Sequence, residues 1–302
     1  MFRHMWKLYQ SAPKKAWFLR AQVSLARASL PSWDRRARTV VSADGTALSA
    51  RCSGQGDPIV LVHGGIGGKD VAFPFIEAAL RDDFAVWTYD RRGFGGSGDG
   101  HDYSLEKETE DLLAVIESTG SSPHVVAHSY GATCALRAAT RGADMRSLVL
   151  YEPPLRRAIH DEAAERAFEE IERLEAAIER GDLDWALRRF YEIVDVTRAE
   201  ISILSSIRPL WRRLLDGVPH LPREIAAIRS WEWEPDPSSL PDIPVLLVAG
   251  EKTRAPLYPT TEALREGFHN AEIAIIPGQR HMATGFAPWR FVDEVSRFIT
   301  AR

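Results

Sequence analysis

The chain has 302 residues, 45% apolar and 26% charged, with a formal net charge of −4. That balance suits a folded globular protein with a sizeable core, and it speaks against a nucleic-acid partner, which calls for a basic stripe. Two cysteines, Cys52 and Cys134, supply no disulfide framework, and no run of about 18 apolar residues exists to span a membrane.

The first 33 residues carry Arg3, Lys7, Lys14, Lys15, Arg20 and Arg27 beside Trp6, Trp17 and Phe18, with no acid before Asp34. Arg20 and Gln22 interrupt the one candidate apolar core of a secretory signal. Three readings of residues 1–34 stay open: a basic helical arm packed on the body or on a second copy, a membrane-surface anchor, or an organellar transit segment. A cytoplasmic location is expected, with peripheral membrane association through the arm left open.

Thr39 to Ser42 and Leu48 to Arg51 read as strands joined at Asp44-Gly45, a two-residue hairpin signal. Pro58 opens an apolar strand that runs into His63-Gly64-Gly65-Ile66-Gly67-Gly68. A helical pattern covers Val71 to Leu80, and Phe84 to Tyr89 is a further buried strand. Ser104 starts an acid-tipped helix that reaches Thr119. His124 to Ala127 is a strand, Gly131 to Thr140 a helix of small residues, and Ser147 to Tyr151 a strand. Apolar strands alternating with helices predict a parallel sheet buried on both faces.

The alternation then stops. Ile171, Leu174 and Ile178 recur at helical spacing, Gly181-Asp182 ends that helix, and Trp185, Tyr191, Trp211, Trp231 and Trp233 mark an aromatic-rich helical stretch. Glu234-Pro235-Asp236-Pro237-Ser238 closes it as a loop. Strand and helix resume with Pro244–Gly250, a helix over Thr260 to Phe268, a strand over Ala271 to Ile276 and a last helix from Pro288 to Ile299. The expected organisation is an α/β core over 35–154 and 241–302, interrupted by a helical cap over 155–240.

Three loops carry chemistry. Ser129, in Ala127-His128-Ser129-Tyr130-Gly131, sits between a strand and a helix with small residues two positions to either side. A turn that sharp leaves no room for larger flanking side chains, and it lifts the hydroxyl toward a helix N-terminus. The glycines of 63–68 allow backbone N–H groups to approach an oxyanion, whereas His63 itself reads as structural. His281, in Pro277-Gly278-Gln279-Arg280-His281, follows the last strand at the carboxyl edge of the sheet, where ligands sit, and reads as a general base for Ser129. Gly93-Phe94-Gly95-Gly96-Ser97-Gly98 matches a dinucleotide fingerprint by letter. However, Asp99 to Asp102 separate it from any helix, so that reading fails; Asp90 and Arg91 are expected to brace this loop by ionic hydrogen bonds.

Together the four segments HGGIGG (63–68), YDRRGFGGSG (89–98), AHSYGA (127–132) and PGQRH (277–281) resemble the α/β-hydrolase superfamily, in its serine-nucleophile branch with a helical cap. The resemblance covers the chain from about Thr39 onward and implies an α/β-hydrolase fold, a mostly parallel doubly wound sheet. Members commonly place an Asp where this chain has Thr253. The family's alternative acid position, just after the strand that follows the elbow helix, is Glu152, which is preferred over Glu251; a dyad without an acid is the remaining possibility.

The expected activity is hydrolysis of an ester, thioester or lactone through an acyl-serine. Ser129 is the nucleophile, His281 the base, Glu152 the acid, and the backbone N–H groups of Tyr130 and of Gly65 or Ile66 hold the oxyanion. Trp185, Tyr191 and Trp211 are candidate lining residues for a small, apolar substrate. Neither an organic cofactor nor a metal is implied. A carbon–carbon bond hydrolase, a cofactor-free perhydrolase of haloperoxidase type and a non-catalytic ligand-binding protein share the same arrangement.

Overall fold

Residues 35–155, 162–232, 240–254, 257–268 and 270–302 are described by the computed structural model of the chain. The N-terminal arm, Trp233 and the Glu234–Ser238 loop therefore lie outside the described residues. Eight strands form one sheet: β1 (Arg35–Val41), β2 (Ala47–Ser53), β3 (Pro58–Val62), β4 (Ala85–Tyr89), β5 (His124–His128), β6 (Ser147–Tyr151), β7 (Val245–Gly250) and β8 (Ala271–Ile276). Their order is β1-β2-β4-β3-β5-β6-β7-β8. β1, β2 and β4 pair antiparallel and all other neighbours pair parallel.

Side chains alternate between the two faces of a strand, and both faces here are apolar. Val60, Val125, Leu148 and Leu247 pack on one side against α3 (Leu105–Ser118), α4 (Tyr130–Thr140) and α10 (Tyr258–Gly267). Ile59, Val126, Val149 and Leu246 pack on the other against α2 (Pro74–Leu80) and α12 (Pro288–Thr300). Each fully buried side chain of this size contributes about 1.5–3 kcal/mol, so this double layer stabilises the scaffold that carries the site.

Local chemistry accounts for the departures from the sequence reading. The first hairpin closes through Ser42 N–H to Thr46 O (2.9 Å) and Gly45 N–H to Ser42 O (2.9 Å), with Gly45 at φ +85°. It is thus a three-residue loop with a bulge rather than a two-residue turn. The helix expected over Val71 to Leu80 is two pieces, α1 (Lys69–Ala72) and α2, because Pro74 has no N–H and turns Phe73 out of helical conformation (φ −129°). α3 begins as expected: the Ser104 hydroxyl accepts the Lys107 N–H at 3.2 Å.

Between β6 and β7 the described chain is helical: α5 (Glu162–Glu179), α6 (Leu183–Ile193), α7 (Arg198–Ser206), α8 (Arg208–Gly217) and α9 (Leu221–Ser230), with a 3₁₀ turn at Val218–His220. Thr197 and Glu200 form a reciprocal capping box at the start of α7. These helices share an apolar cluster built from Leu174, Leu187, Tyr191, Leu204, Trp211 and Leu221, onto which Ile66, Val71, Met282 and Phe286 of the sheet domain also pack. That shared cluster places the insertion over the carboxyl ends of the parallel strands.

Candidate active site

Ser129 follows β5 directly, at φ +53° and ψ −129°, a backbone conformation that costs a non-glycine residue about 1–3 kcal/mol. Its N–H donates to Tyr151 O at 2.9 Å, which holds the turn in place. At Gly131 a Cβ would lie 2.3 Å from the His63 carbonyl oxygen and 2.7 Å from that of Val62, so no side chain fits there. Ala127 is wholly buried between β3 and β6.

The sheet edge brings three separated side chains into one hydrogen-bonded line. Ser129 Oγ lies 3.0 Å from His281 Nε2, and His281 Nδ1 lies 2.7 Å from Glu152 Oε2. Glu152 is fully buried at φ +45°, and its second oxygen accepts the Gly250 N–H at 2.8 Å. With Nδ1–H donated to the carboxylate, Nε2 is free to accept the serine proton. Glu251 points elsewhere: its carboxylate accepts the Gly278 N–H at 2.6 Å on an exposed turn.

Several groups that hold His281 were not singled out in the sequence. The Tyr151 hydroxyl donates to Arg280 O at 2.5 Å and accepts the Ala283 N–H at 3.2 Å, so it straddles the histidine loop. Arg280 Nη1 binds both Asp195 oxygens, at 2.7 and 2.6 Å, and Asp195 lies between α6 and α7 at φ +60°. The His128 ring lies 4.7 Å from that of His281 and donates Nε2–H to the His281 carbonyl at 2.9 Å. Burial, reinforced by charge on His281, keeps His128 well below the usual histidine range, so no second imidazolium forms beside the first.

His63 is structural. Its Nδ1–H donates to Gly64 O (2.8 Å), Nε2 accepts the Arg91 N–H (3.1 Å), and burial keeps the ring neutral. In the 89–98 loop, Asp90 accepts from Lys69 N (2.8 Å) and Gly96 N (2.9 Å) and pairs with the Lys69 ammonium. Arg92 grips Asp111 through two 2.7 Å bonds. Arg91 differs from expectation: its guanidinium stacks 4.9 Å from the Phe94 ring but forms its ion pairs outside the loop, with Glu224 of α9 and, at 3.4 Å, with Glu108 of α3. A buried guanidinium needs a carboxylate partner, and the loop's own acid, Asp90, is already occupied.

Tyr130 is the first residue of α4, so its N–H has no acceptor within the helix. Gly64 runs so close to the elbow that a Cβ there would lie 3.0 Å from Ser129 Cβ. Gly65 and Ile66 line a cavity of about 690 Å³ together with Ser129, His128 and His281. The insertion closes the cavity with Tyr191, Leu204, Ile207 and Leu214, and Arg51, Asp70 and Arg213 add a polar stretch of wall. Trp185 and Trp211 do not line it. Trp185 is 41% exposed, and Trp211 is buried among the inserted helices with its indole N–H on Asp184 (2.7 Å). Among the described residues, no group of three or more His, Cys, Asp or Glu side chains could hold a metal ion, and no helix is long and apolar enough to cross a membrane.

Residues 59–294 match the alpha/beta hydrolase family over most of the chain. The chain belongs to that family. Solved structures share its fold. An alpha/beta hydrolase from Sphaerobacter thermophilus DSM 20745 is 28% identical, with a TM-score of 0.72 over 87% of this chain and 100% of that one. The esterase RhEst1 from Rhodococcus sp. ECU1013 shares the fold at 22% identity, with a TM-score of 0.69 over 87% and 98% of the two chains. An N-formylmaleamate deformylase from Pseudomonas putida is 35% identical over 109 residues, 35% of this chain and 40% of that protein. The matches span only 40% to 50% of the length of the curated relatives.

Proposed function

We propose that this hydrolase cleaves a carboxylic ester, thioester or lactone through an acyl-serine intermediate. The observation that carries this reading is the unbroken line from Ser129 Oγ through His281 to Glu152, at 3.0 and 2.7 Å. Ser129 Oγ attacks the carbonyl carbon while its proton moves to His281 Nε2; the carbonyl electron pair collects on oxygen as an oxyanion. The N–H groups of Tyr130 and of Gly65 or Ile66 receive that charge. The carbon–oxygen or carbon–sulfur bond then breaks, the leaving group takes the proton from Nε2, and the acyl group remains on Ser129. Water, deprotonated by His281, repeats the sequence to release the acid and restore the serine. Glu152 holds the ring in the tautomer this requires and balances the imidazolium. Residues 155–240 act as a cap whose apolar side chains receive the hydrocarbon part of the substrate.

A second reading has one specific observation in its favour. The match to N-formylmaleamate deformylase points to a formyl carbon–nitrogen bond cleaved by the same residues, with an amine as leaving group. A panel of p-nitrophenyl esters and N-formyl amides, followed by nitrophenolate and formate release, separates the two by relative kcat/KM. In either case a fluorophosphonate probe should label the wild type, and Ser129→Ala should lose both labelling and turnover. Turnover that survives in Ser129→Ala would remove the acyl-serine mechanism.

A further inference from the structure

Behind the oxyanion backbone lies a buried charge cluster that the proposed chemistry does not use. Arg91, Glu108 and Glu224 are each at most 2% exposed. Arg91 pairs with Glu224 and lies 3.4 Å from Glu108, and its guanidinium stacks 4.7 Å from the Tyr130 ring. The other Glu224 oxygen presses on the glycine loop: a Cβ at Gly65 would lie 2.6 Å from it. One cluster therefore touches both Tyr130 and Gly65, residues to which the proposed mechanism gives oxyanion-hole N–H groups, with Ile66 as the alternative to Gly65, and one of its members belongs to the insertion.

Charge counting decides its protonation. Two carboxylates facing one guanidinium out of water would leave an uncompensated negative charge, which burial disfavours strongly. Glu108 accepts the Tyr103 hydroxyl at 3.0 Å and Glu224 accepts an Arg91 N–H, while burial raises both carboxyls. Two buried carboxyls thus share one proton against a single guanidinium, since Arg223 of the Glu224 helix is taken by Asp99 at 2.8 Å. Tyr103, Tyr130 and Cys134 complete the groups around it, all held neutral by burial.

We propose that Glu224 is a positioning residue for the oxyanion hole: wedged between Arg91 and Gly65, it shares one proton with Glu108, and loss of that proton opposes negative charge on the substrate oxygen. This rests on the reading of Ser129 as nucleophile. Burial, with the Glu108 charge adding to it against Arg91, pushes the Glu224 carboxyl up to about 8. Below that pH the cluster is neutral; above it the cluster carries one net negative charge beside Gly65 and Tyr130. The transition state accumulates charge there and the ground-state carbonyl does not, so the loss falls on kcat.

The test is the pH profile of p-nitrophenyl ester hydrolysis from pH 6.5 to 9.5 for the wild type, Glu224→Gln and Glu108→Gln, with Ser129→Ala as control. In the wild type kcat should fall at least about tenfold through pH 8, with KM moving less than about twofold. Glu224→Gln has no proton to lose, and its kcat should stay level over that range. Glu108→Gln leaves one carboxyl to one guanidinium and should also stay level; it carries the test alone if Glu224→Gln does not fold. A level wild-type profile, or the same fall in either variant, overturns the proposal while an inactive Ser129→Ala leaves the nucleophile standing. An active Ser129→Ala removes the nucleophile reading itself.

Discussion

The sheet edge and the inserted helices build the same site by different means. At the edge, Ser129 and Glu152 are held by backbone: each sits at positive φ directly after a central strand, with its N–H donated to a neighbouring strand at 2.9 Å from Ser129 to Tyr151 and 3.3 Å from Glu152 to Val248. The insertion is tied to that edge by its apolar cluster and a few charged contacts, Asp195 to Arg280 beside His281 and Glu224 to Arg91 behind Gly65. Backbone held by a buried parallel sheet moves little, whereas side-chain pairs between separate elements open at lower cost. The proposed chemistry therefore falls on positions held by sheet backbone, and much of the cavity wall on side chains of the insertion.

Four substitutions, the last two compared with each other, test that division. Glu152→Gln keeps the shape of the relay but lets the imidazole adopt the wrong tautomer; kcat should fall about 10³- to 10⁴-fold with the melting temperature nearly unchanged. If the loss were below about tenfold, the edge would be working without its acid. Asp195→Asn keeps a residue tolerant of positive φ yet removes the charge that grips Arg280. The pair is about one-fifth exposed on each side, so a fall of about tenfold in kcat is expected as the histidine loop loosens, with faster amide exchange across residues 278–283. An unchanged exchange rate would mean that Tyr151 alone holds the loop. Trp185→Ala, on the exposed face of α6, should leave kcat/KM within about twofold, whereas Tyr191→Ala, on the cavity wall, should change KM by about tenfold. Equal effects of the two would place the substrate elsewhere.

The core elements and the loops that carry Ser129, His281 and the glycines were readable in the sequence because each is a local demand. A turn that admits no Cβ at Gly131 writes itself into the residue type at that position. Unbroken apolar runs inside β3, β5, β6 and β7, such as Val125–Ala127 and Leu148–Leu150, announce strands buried on both faces. The preference for Glu152 over Glu251 came from family resemblance, and its geometry, 2.7 Å from His281, became visible only in the fold. Tyr151, Asp195 and Glu224 carried no such signal: the partners of Asp195 and Glu224 are 85 and 133 positions away, and one side chain of a distant pair has no periodicity. The aromatic richness of the insertion misled for the same reason. Trp185 and Tyr191 look alike in a sequence, but six residues along a helix is 600° of rotation, so the two emerge on different faces.

By itself the sequence determined the α/β alternation, the place where it is interrupted, the elbow around Ser129 and the family to which these belong. Those features are set by steric and hydrophobic constraints within a few residues of chain. The tertiary structure alone decided which carboxylate meets His281, which way Arg91 turns, and which insertion side chains face the cavity. Each of those depends on how separate elements pack, and packing selects among partners that chain order leaves equivalent.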